Sequence, residues 1–514
     1  MRKLRVITPL GWLLIISFAV RLVLACAFPL GNDEAYYYVY AKFPSLSHFD
    51  HPGMVGWIIQ LFTLNLLFSS ELFVRLAAVV AGTFNTWLIY FIVLKLWNSK
   101  SAFIAALLYT FNLYGFIITG IFILPDAPLT TFWLLAFYFF VNAFFIHKDN
   151  KIRARHNFLW ACFFTALSLM SKYTAAFLWI GSLAFIVIYR RKWLKTRTFY
   201  IGQFIILLSL LPTLIWNINN NFVSFAFHGS RVAIGSPEIN WQYFIQFVGG
   251  NALYTNPFIF VLLLFIIVLN IKYLFKKQST PQGFILYLSL PIIFVFIVAS
   301  LYEETLPHWN GVGYLMLSLL LAEYISKRKR VKLYMGIIAS YFIAFILIAP
   351  LQIKTGFIPI EKISKDKNLI IDDFSLELYG WDFLNDEFIK LAKHYEEEGL
   401  MQKDAPILAS RWFPAANYEY YIERKSPQHV VYAYGDTIDI HEYAWINNKK
   451  PILNKGSDAY YLTSSIDYRP LGSMTGIAFE QYSTPDTIKI YRCNKNVYDF
   501  YVFRLNGMLY SAYR

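Results

Sequence analysis

The feature that most restricts this chain is a succession of apolar stretches, each close to the length that crosses a lipid bilayer, separated by short polar connections. At 1.5 Å rise per residue, a helix needs about 20 residues to span a hydrocarbon layer roughly 30 Å thick. Such stretches occur at 8–28, 72–94, 102–122, 127–146, 157–170, 173–189, 199–216, 257–271, 282–300, 309–325 and 333–351. No soluble interior of this size hides so many. Composition agrees: 57% of the 514 residues are hydrophobic and 15% charged, too little polar surface for a soluble fold. The expected class is a polytopic α-helical membrane protein with about eleven transmembrane helices.

The basic residues set the orientation. With the N-terminus inside, the inner connections collect Arg2, Lys3 and Arg5, then Lys95 and Lys100, then Lys148, Lys151, Arg153 and Arg155. They also collect Arg190, Arg191, Lys192, Lys195 and Arg197, then Lys272, Lys276 and Lys277, and finally the run from Lys327 to Lys332. The outer connections before residue 352 hold only Lys42, Lys172 and Arg231. Positive loops resist translocation, so this asymmetry favours that orientation and carries residues 352–514 outside. It also accounts for the net charge of +14 without a nucleic-acid partner. The first span follows "MRKLR" but lacks a clear cleavage site, so it reads as a retained helix rather than a signal peptide. After it, "AYYYVYAKF" suits the interface, where tyrosine rings sit half in lipid. Residues 53–68 read as a second interfacial helix.

Two domains are expected: a membrane domain over 1–351 and an extracytoplasmic α/β domain over 352–514. In the second, charges become frequent and apolar runs shorten. "WDFLNDEFIKLAKHYEEEGL" sets Trp381, Leu384, Phe388, Leu391, Ala392 and Tyr395 on one helical face. "APILAS", "HVVYAY", "AYYLTSS" and "TIKIYR" read as short strands. Neither common nucleotide-binding fingerprint occurs. Cys26 and Cys162 fall within spans and Cys493 stands apart, so no disulfide framework is implied.

Sorting the titratable residues by side brings the chemistry to one face. Asp33, Glu34 and His51 fall in the first outer connection, Asp126 in the second, Lys172 in the third, Arg231 in the fourth, and Tyr302, Glu303, Glu304 and His308 in the fifth. Adjacent carboxylates on a helix diverge by about 100°, so only one of Asp33 and Glu34 aims at a given atom, and one suffices as general base. The bland readings are a solvated pair for these two, a helix cap for Asp126, a polar contact for His51 and snorkelling for Lys172. A lysine held at membrane depth costs about 2.5–3.5 kcal/mol, which an anion such as phosphate offsets. Arg21, inside the first span, calls for an internal partner, with Glu303 or Glu304 as candidates. Tyr302, His308 and Trp309 suit the lining of a site for a ring-shaped substrate. No C-x-x-C, H-E-x-x-H or EF-hand pattern supports a dedicated metal site. A divalent ion held between Asp33 and Asp126 stays open.

The motifs "NDEAYYYVY", "FDHPGMVGW", "PDAPLTTFW", "SKYTAAFLW", "PTLIWN" and "LPHWNGVGY", in this order and spacing, resemble the GT-C membrane glycosyltransferases. Within these they resemble the protein O-mannosyltransferase group, and especially the bacterial branch with the lipid A aminoarabinose transferases. The resemblance covers nearly all of residues 1–351, and the tail from "YGWDFLNDE" more loosely. It implies a cytoplasmic-membrane enzyme that moves a sugar, with inversion, from a polyprenyl-phosphate donor to an envelope glycolipid, glycan or protein on the outer face. It gives Asp33 the catalytic acidic position and Asp126 the second-loop aspartate. Lys172 becomes a phosphate contact and Arg231 a fourth-loop candidate. His51 stands where the aminoarabinose branch has a lysine in a "KPP" setting, and Gly53 replaces its second proline. The alternatives are a lipid-linked sugar transporter or flippase and a related envelope polymer ligase. A transporter usually places polar groups at mid-membrane within repeated, broken helices, whereas here they gather at one face and no repeat is visible.

Overall fold

The computed structural model describes residues 7–232, 238–360 and 373–512, with residues 230–232 described by their backbone alone. The chain divides into two compact units, one of Met1–Cys26 with Ser45–Ala344 and the other of Ala27–Pro44 with Phe345–Arg514. The second unit thus draws in residues 27–44, which the expected 1–351 boundary kept with the membrane helices.

In chain order the helices are α1 Pro9–Ala27, α2 Asn32–Lys42, α3 Met54–Phe62, α4 Glu71–Leu96, α5 Ser99–Thr110, α6 Asp126–Val141, α7 Lys151–Leu169 and α8 Ala176–Tyr189. They continue as α9 Arg197–Leu208, α10 Leu211–Asn219, α11 Val223–Val232, α12 Trp241–Thr255, α13 Pro257–Asn270, α14 Pro281–Ala299, α15 Gly311–Ser326 and α16 Val331–Thr355. Among the described residues, seven helices are long and apolar enough to cross a membrane. Three of these segments, Arg197–Asn219, Pro257–Leu274 and Val331–Thr355, bury only 22%, 17% and 17% of their most apolar window. Helices apolar on every side but hardly covered by protein need acyl chains around them, which makes this a multi-pass membrane protein. By contrast α15 buries nearly every side chain and forms the centre of the first unit. Its Ser326 Oγ accepts from Ser101 Oγ of α5 at 2.9 Å.

Several expected spans take a different form. The stretch 102–122 is broken: α5 ends at Thr110 and a π-helical turn follows at Tyr114–Ile118. Asn112 marks the break, its Oδ1 accepting the Gly115 amide at 3.3 Å, a local bond that competes with helix continuation. The stretch 199–216 divides into α9 and α10 where Pro212 enters at the start of α10. Two helices have no counterpart in the apolar pattern, α11 and α12. The latter mixes Gln242, Gln246, Gly249, Gly250 and Asn251 into its length, so its mean hydropathy never announced it. Asn240 nevertheless caps it, accepting from the amides of Gln242 and Tyr243. The 157–189 region is two helices, as expected.

The second unit is α/β. Helix α17, Trp381–Glu397, buries Trp381, Leu384, Phe388, Ala392 and Tyr395 as its apolar face, while Leu391 is half-exposed. The strands are β1 Ile407–Ala409, β2 Val431–Ala433, β3 Ala459–Ser464, β4 Ile477–Tyr482, β5 Asp486–Arg492 and β6 Lys495–Ser511. They form one sheet in the order β2-β1-β3-β6-β4, with β5 also pairing β6. The first three are parallel and β6 runs antiparallel to β3, Tyr461 facing Phe503. Every residue of β3 is buried, as a strand covered on both faces requires.

Candidate active site

In the first unit, α6 and α7 pack side by side, joined by a short turn, so the end of α7 returns to the start of α6. The Ser168 hydroxyl of α7 donates to the Leu129 carbonyl of α6 at 3.3 Å and ties the two. Asp126 opens α6, and Lys172 follows α7 in extended backbone. The geometry therefore delivers a lysine to an aspartate 46 positions earlier: Lys172 Nζ donates to Asp126 Oδ2 at 2.7 Å, with side chains 6% and 2% exposed. The Tyr114 hydroxyl donates to the other oxygen, Asp126 Oδ1, at 3.3 Å and lies 3.2 Å from Thr130 Oγ1. Asp126 does not cap its helix; both oxygens serve this network. A divalent ion on Asp126 would have to compete with the Lys172 ammonium for it. Among the described residues, no group of three His, Cys, Asp or Glu gathers in a way that holds a metal.

Two elements close over this pair. Gly311 begins α15 directly against Tyr114: a Cβ there would lie 2.3 Å from the ring. The turn Pro307–Asn310 before it carries His308. Burial pushes the His308 imidazole down to about 4, with Asp126 opposing that shift and Lys172 adding to it. His308 is therefore neutral at pH 7, a hydrogen-bonding group rather than a charge. Gly250 of α12 meets Pro307 where a Cβ would sit 2.2 Å from the proline ring, and Tyr254 faces His308 at 6.5 Å between centroids. Asn310, fully buried, has no hydrogen-bond partner for either side-chain atom among the described residues. The Tyr302 ring makes no hydrogen bond or ring contact with this network among the described residues; its amide closes the last turn of α14 on Ala299.

A second cluster surrounds His51. Helix α11 clasps residues 48–51: Ser224 Oγ donates to the His48 carbonyl at 3.3 Å, His228 Nε2 donates to the Asp50 carbonyl at 2.6 Å, and Phe227 packs on Phe49. The rings of His51 and His228 lie 6.1 Å apart, and His228 meets Tyr173, the neighbour of Lys172, at 5.0 Å. Sequence reasoning missed Tyr114, Tyr173 and His228, because tyrosines and a histidine within aromatic stretches look like packing. The backbone of Arg231 lies in α11; its side chain is outside the described residues.

Arg21 is fully buried, and neither Glu303 nor Glu304 is its partner. Its Nε donates to the Phe116 carbonyl at 3.5 Å and its guanidinium lies 4.4 Å over the Phe116 ring. Cation–π contact inside an apolar bundle replaces the expected carboxylate, and Gly82 and Gly120 make room for it: a Cβ at either would lie 3.0 or 2.7 Å from the Arg21 Nε.

Asp33 and Glu34 lie in the second unit, in the first turn of α2, and part ways as their spacing requires. Glu34 is 2% exposed and its Oε2 accepts the Gly31 amide at 3.0 Å, closing the helix start. Asp33 is half-exposed. Neighbouring Asn32 is held by Glu377, which accepts its amide at 3.0 Å, and by Asn417 at 3.1 Å. At the other end of α2, Lys42 donates to Glu419 at 2.8 Å and to Glu423 at 2.5 Å, while Lys450 reaches the second oxygen of Glu419 at 2.8 Å. Burial pushes the Glu419 carboxyl up, but Lys450 and Lys42 outweigh it and hold it at about 2. The C-terminal sequence thus fixes both ends of the helix that carries Asp33.

Residues 50–216 match the family described as dolichyl-phosphate-mannose-protein mannosyltransferase. No curated protein matches the chain in sequence. Among solved structures the chain is similar to ArnT from Cupriavidus metallidurans in the apo state, at 11% identity and a TM-score of 0.62 over 96% of this chain and 98% of that one. The same protein bound to undecaprenyl phosphate matches at 12% identity with the same TM-score and coverage. The oligosaccharyltransferase of Archaeoglobus fulgidus matches less well, at 12% identity and a TM-score of 0.49 over 89% of this chain and 69% of that one. The family match runs through the segment that holds His51, Asp126 and Lys172, and the fold is shared with ArnT along almost the whole chain.

Proposed function

We propose that the protein transfers a sugar from a polyprenyl-phosphate donor to a hydroxyl of an envelope acceptor, on the outer face of the cytoplasmic membrane, with inversion at the anomeric carbon. The observation that carries the reading is the buried Lys172–Asp126 pair, capped by Tyr114 and a neutral His308 at the ends of membrane helices. An ammonium offers three donors; Asp126 takes one and aligns the others for the donor phosphate. As the bond from C1 to the phosphate oxygen breaks, negative charge grows on that oxygen, and a pre-aligned cation offsets it without reorganisation. His51, with the His228 ring 6.1 Å away, stands in place of the lysine of the aminoarabinose branch and adds a donor for the same phosphate. His308, being uncharged, suits a sugar hydroxyl.

Asp33 is the general base: it takes the proton from the acceptor hydroxyl as that oxygen attacks C1, and the lipid phosphate departs from the opposite side of the ring. Glu34 shapes the helix instead. ArnT, with a similar fold, has been solved with undecaprenyl phosphate, a lipid phosphate of the kind that departs in this reading. The test is Asp33→Asn in purified protein with a polyprenyl-phosphate sugar. Transfer should fall by about 10²–10⁴-fold while membrane insertion persists; unchanged transfer removes Asp33 from the mechanism.

A further inference from the structure

The far ends of α7 and α8 hold a second feature. A cavity of about 770 Å³ is lined by Lys148, Lys151, Arg155, Arg190, Arg191 and Lys192, with Asp149 as its one carboxylate. Tyr189 and Trp193 give it an apolar wall, and Trp193 is seated on Phe158 at 4.6 Å between centroids. Arg190 is anchored from behind, donating to the Phe144 carbonyl with its guanidinium 5.6 Å from the Phe145 ring. Its Nε is buried with no hydrogen-bond partner among the described residues. Helix α7 begins here with no acidic residue in its first turn, and Asn150 accepts the Arg153 amide at 3.0 Å. The positive end of the helix therefore adds to the six cations.

Membrane orientation asks only for a number of positive charges near the helix ends. It does not ask them to surround a hollow, where like charges repel unless an anion stands among them. Depth identifies the anion. Lys172 follows the other end of α7, whose 19 residues correspond to about 28 Å, close to the hydrocarbon thickness. The cavity thus lies at the opposite membrane face, at the level of lipid headgroups.

We propose that this cavity binds the phosphate of an anionic lipid headgroup, remote from the glycosyl-transfer residues and independent of their roles. The test is native mass spectrometry of the delipidated full-length protein titrated with phosphatidylglycerol, phosphatidylcholine or inorganic phosphate. Phosphatidylglycerol should be retained over phosphatidylcholine. Its affinity should fall by about a hundredfold in Lys151→Gln/Arg155→Gln/Arg191→Gln, from roughly fivefold per basic residue. Lys329→Gln/Arg330→Gln/Lys332→Gln, the same charge loss in another connection, should leave it intact. The charge-conserving Lys151→Arg/Arg155→Lys should bind as wild type, which separates lost charge from misfolding. Competition by inorganic phosphate at similar concentration supports the phosphate site and assigns it to a soluble ligand. Equal retention of the two lipids, or an equal loss in the control triple variant, overturns the proposal.

Discussion

Replacing Lys172 with Met leaves Asp126 charged, 2% exposed, with Tyr114 as its remaining side-chain donor. At 2.7 Å and an effective dielectric of about 20, the direct attraction between the two charges is roughly 6 kcal/mol. Part of that is offset in the wild type by the cost of burying the ammonium, so loss of one partner should cost about 3–5 kcal/mol. The double variant Lys172→Met/Asp126→Asn removes both charges and keeps an amide oxygen for the Tyr114 hydroxyl. It should lie within about 1 kcal/mol of wild type. The assay is heat-induced unfolding of detergent-purified protein, beside transfer activity. The expected order of midpoints is wild type near the double variant, with Lys172→Met well below both. Transfer should stay lost in the double variant, because no ammonium then faces the donor phosphate. If Lys172→Met melts with wild type, or the double variant melts as low as the single one, the pair is not the buried unit described here.

Two further outcomes follow from the same network. Gly311→Ala brings a methyl within 2.3 Å of the Tyr114 ring, so transfer should drop about tenfold or more, as misplacement of a site by a fraction of an ångström does; wild-type kinetics would mean that Tyr114 does not set the position of Asp126. His308 titrates near 4 in the folded protein against 6.5 in its ordinary state, so the unfolded chain binds its proton first. Stability should therefore fall as pH drops from 6.5 towards 4 and be untouched above 6.5; His308→Gln should flatten that decline, and parallel melting curves for the two proteins would refute it.

How legible each part was depended on how local its cause is. Helices bounded by lipid were visible because a bilayer demands a continuous apolar run, and α1, α4, α6, α13, α14 and α16 lie close to their expected limits. The face of α17 and the four expected strands were visible for the same reason, since periodic burial writes itself into neighbouring residues. Helix α12 was hidden because it is polar enough to escape a hydropathy reading, although its cap and the following Pro257 were there to be seen. Glu34 lay within reach of sequence reasoning, three residues after the amide it binds. The partner of Arg21 did not: a carbonyl and a phenylalanine ring 95 positions away leave no signal.

Chain chemistry by itself determined the membrane class, the uneven distribution of charge and the set of titratable groups available for the proposed glycosyl transfer. These follow from transfer free energies that act residue by residue. Tertiary packing alone decided which of those groups meet and in what state: that Lys172 neutralises Asp126, that His308 loses its charge, and that the C-terminal sequence holds α2 by both ends. Each of these rests on desolvation and on distances of a few ångströms between residues far apart in the chain, and neither quantity exists until the helices have packed.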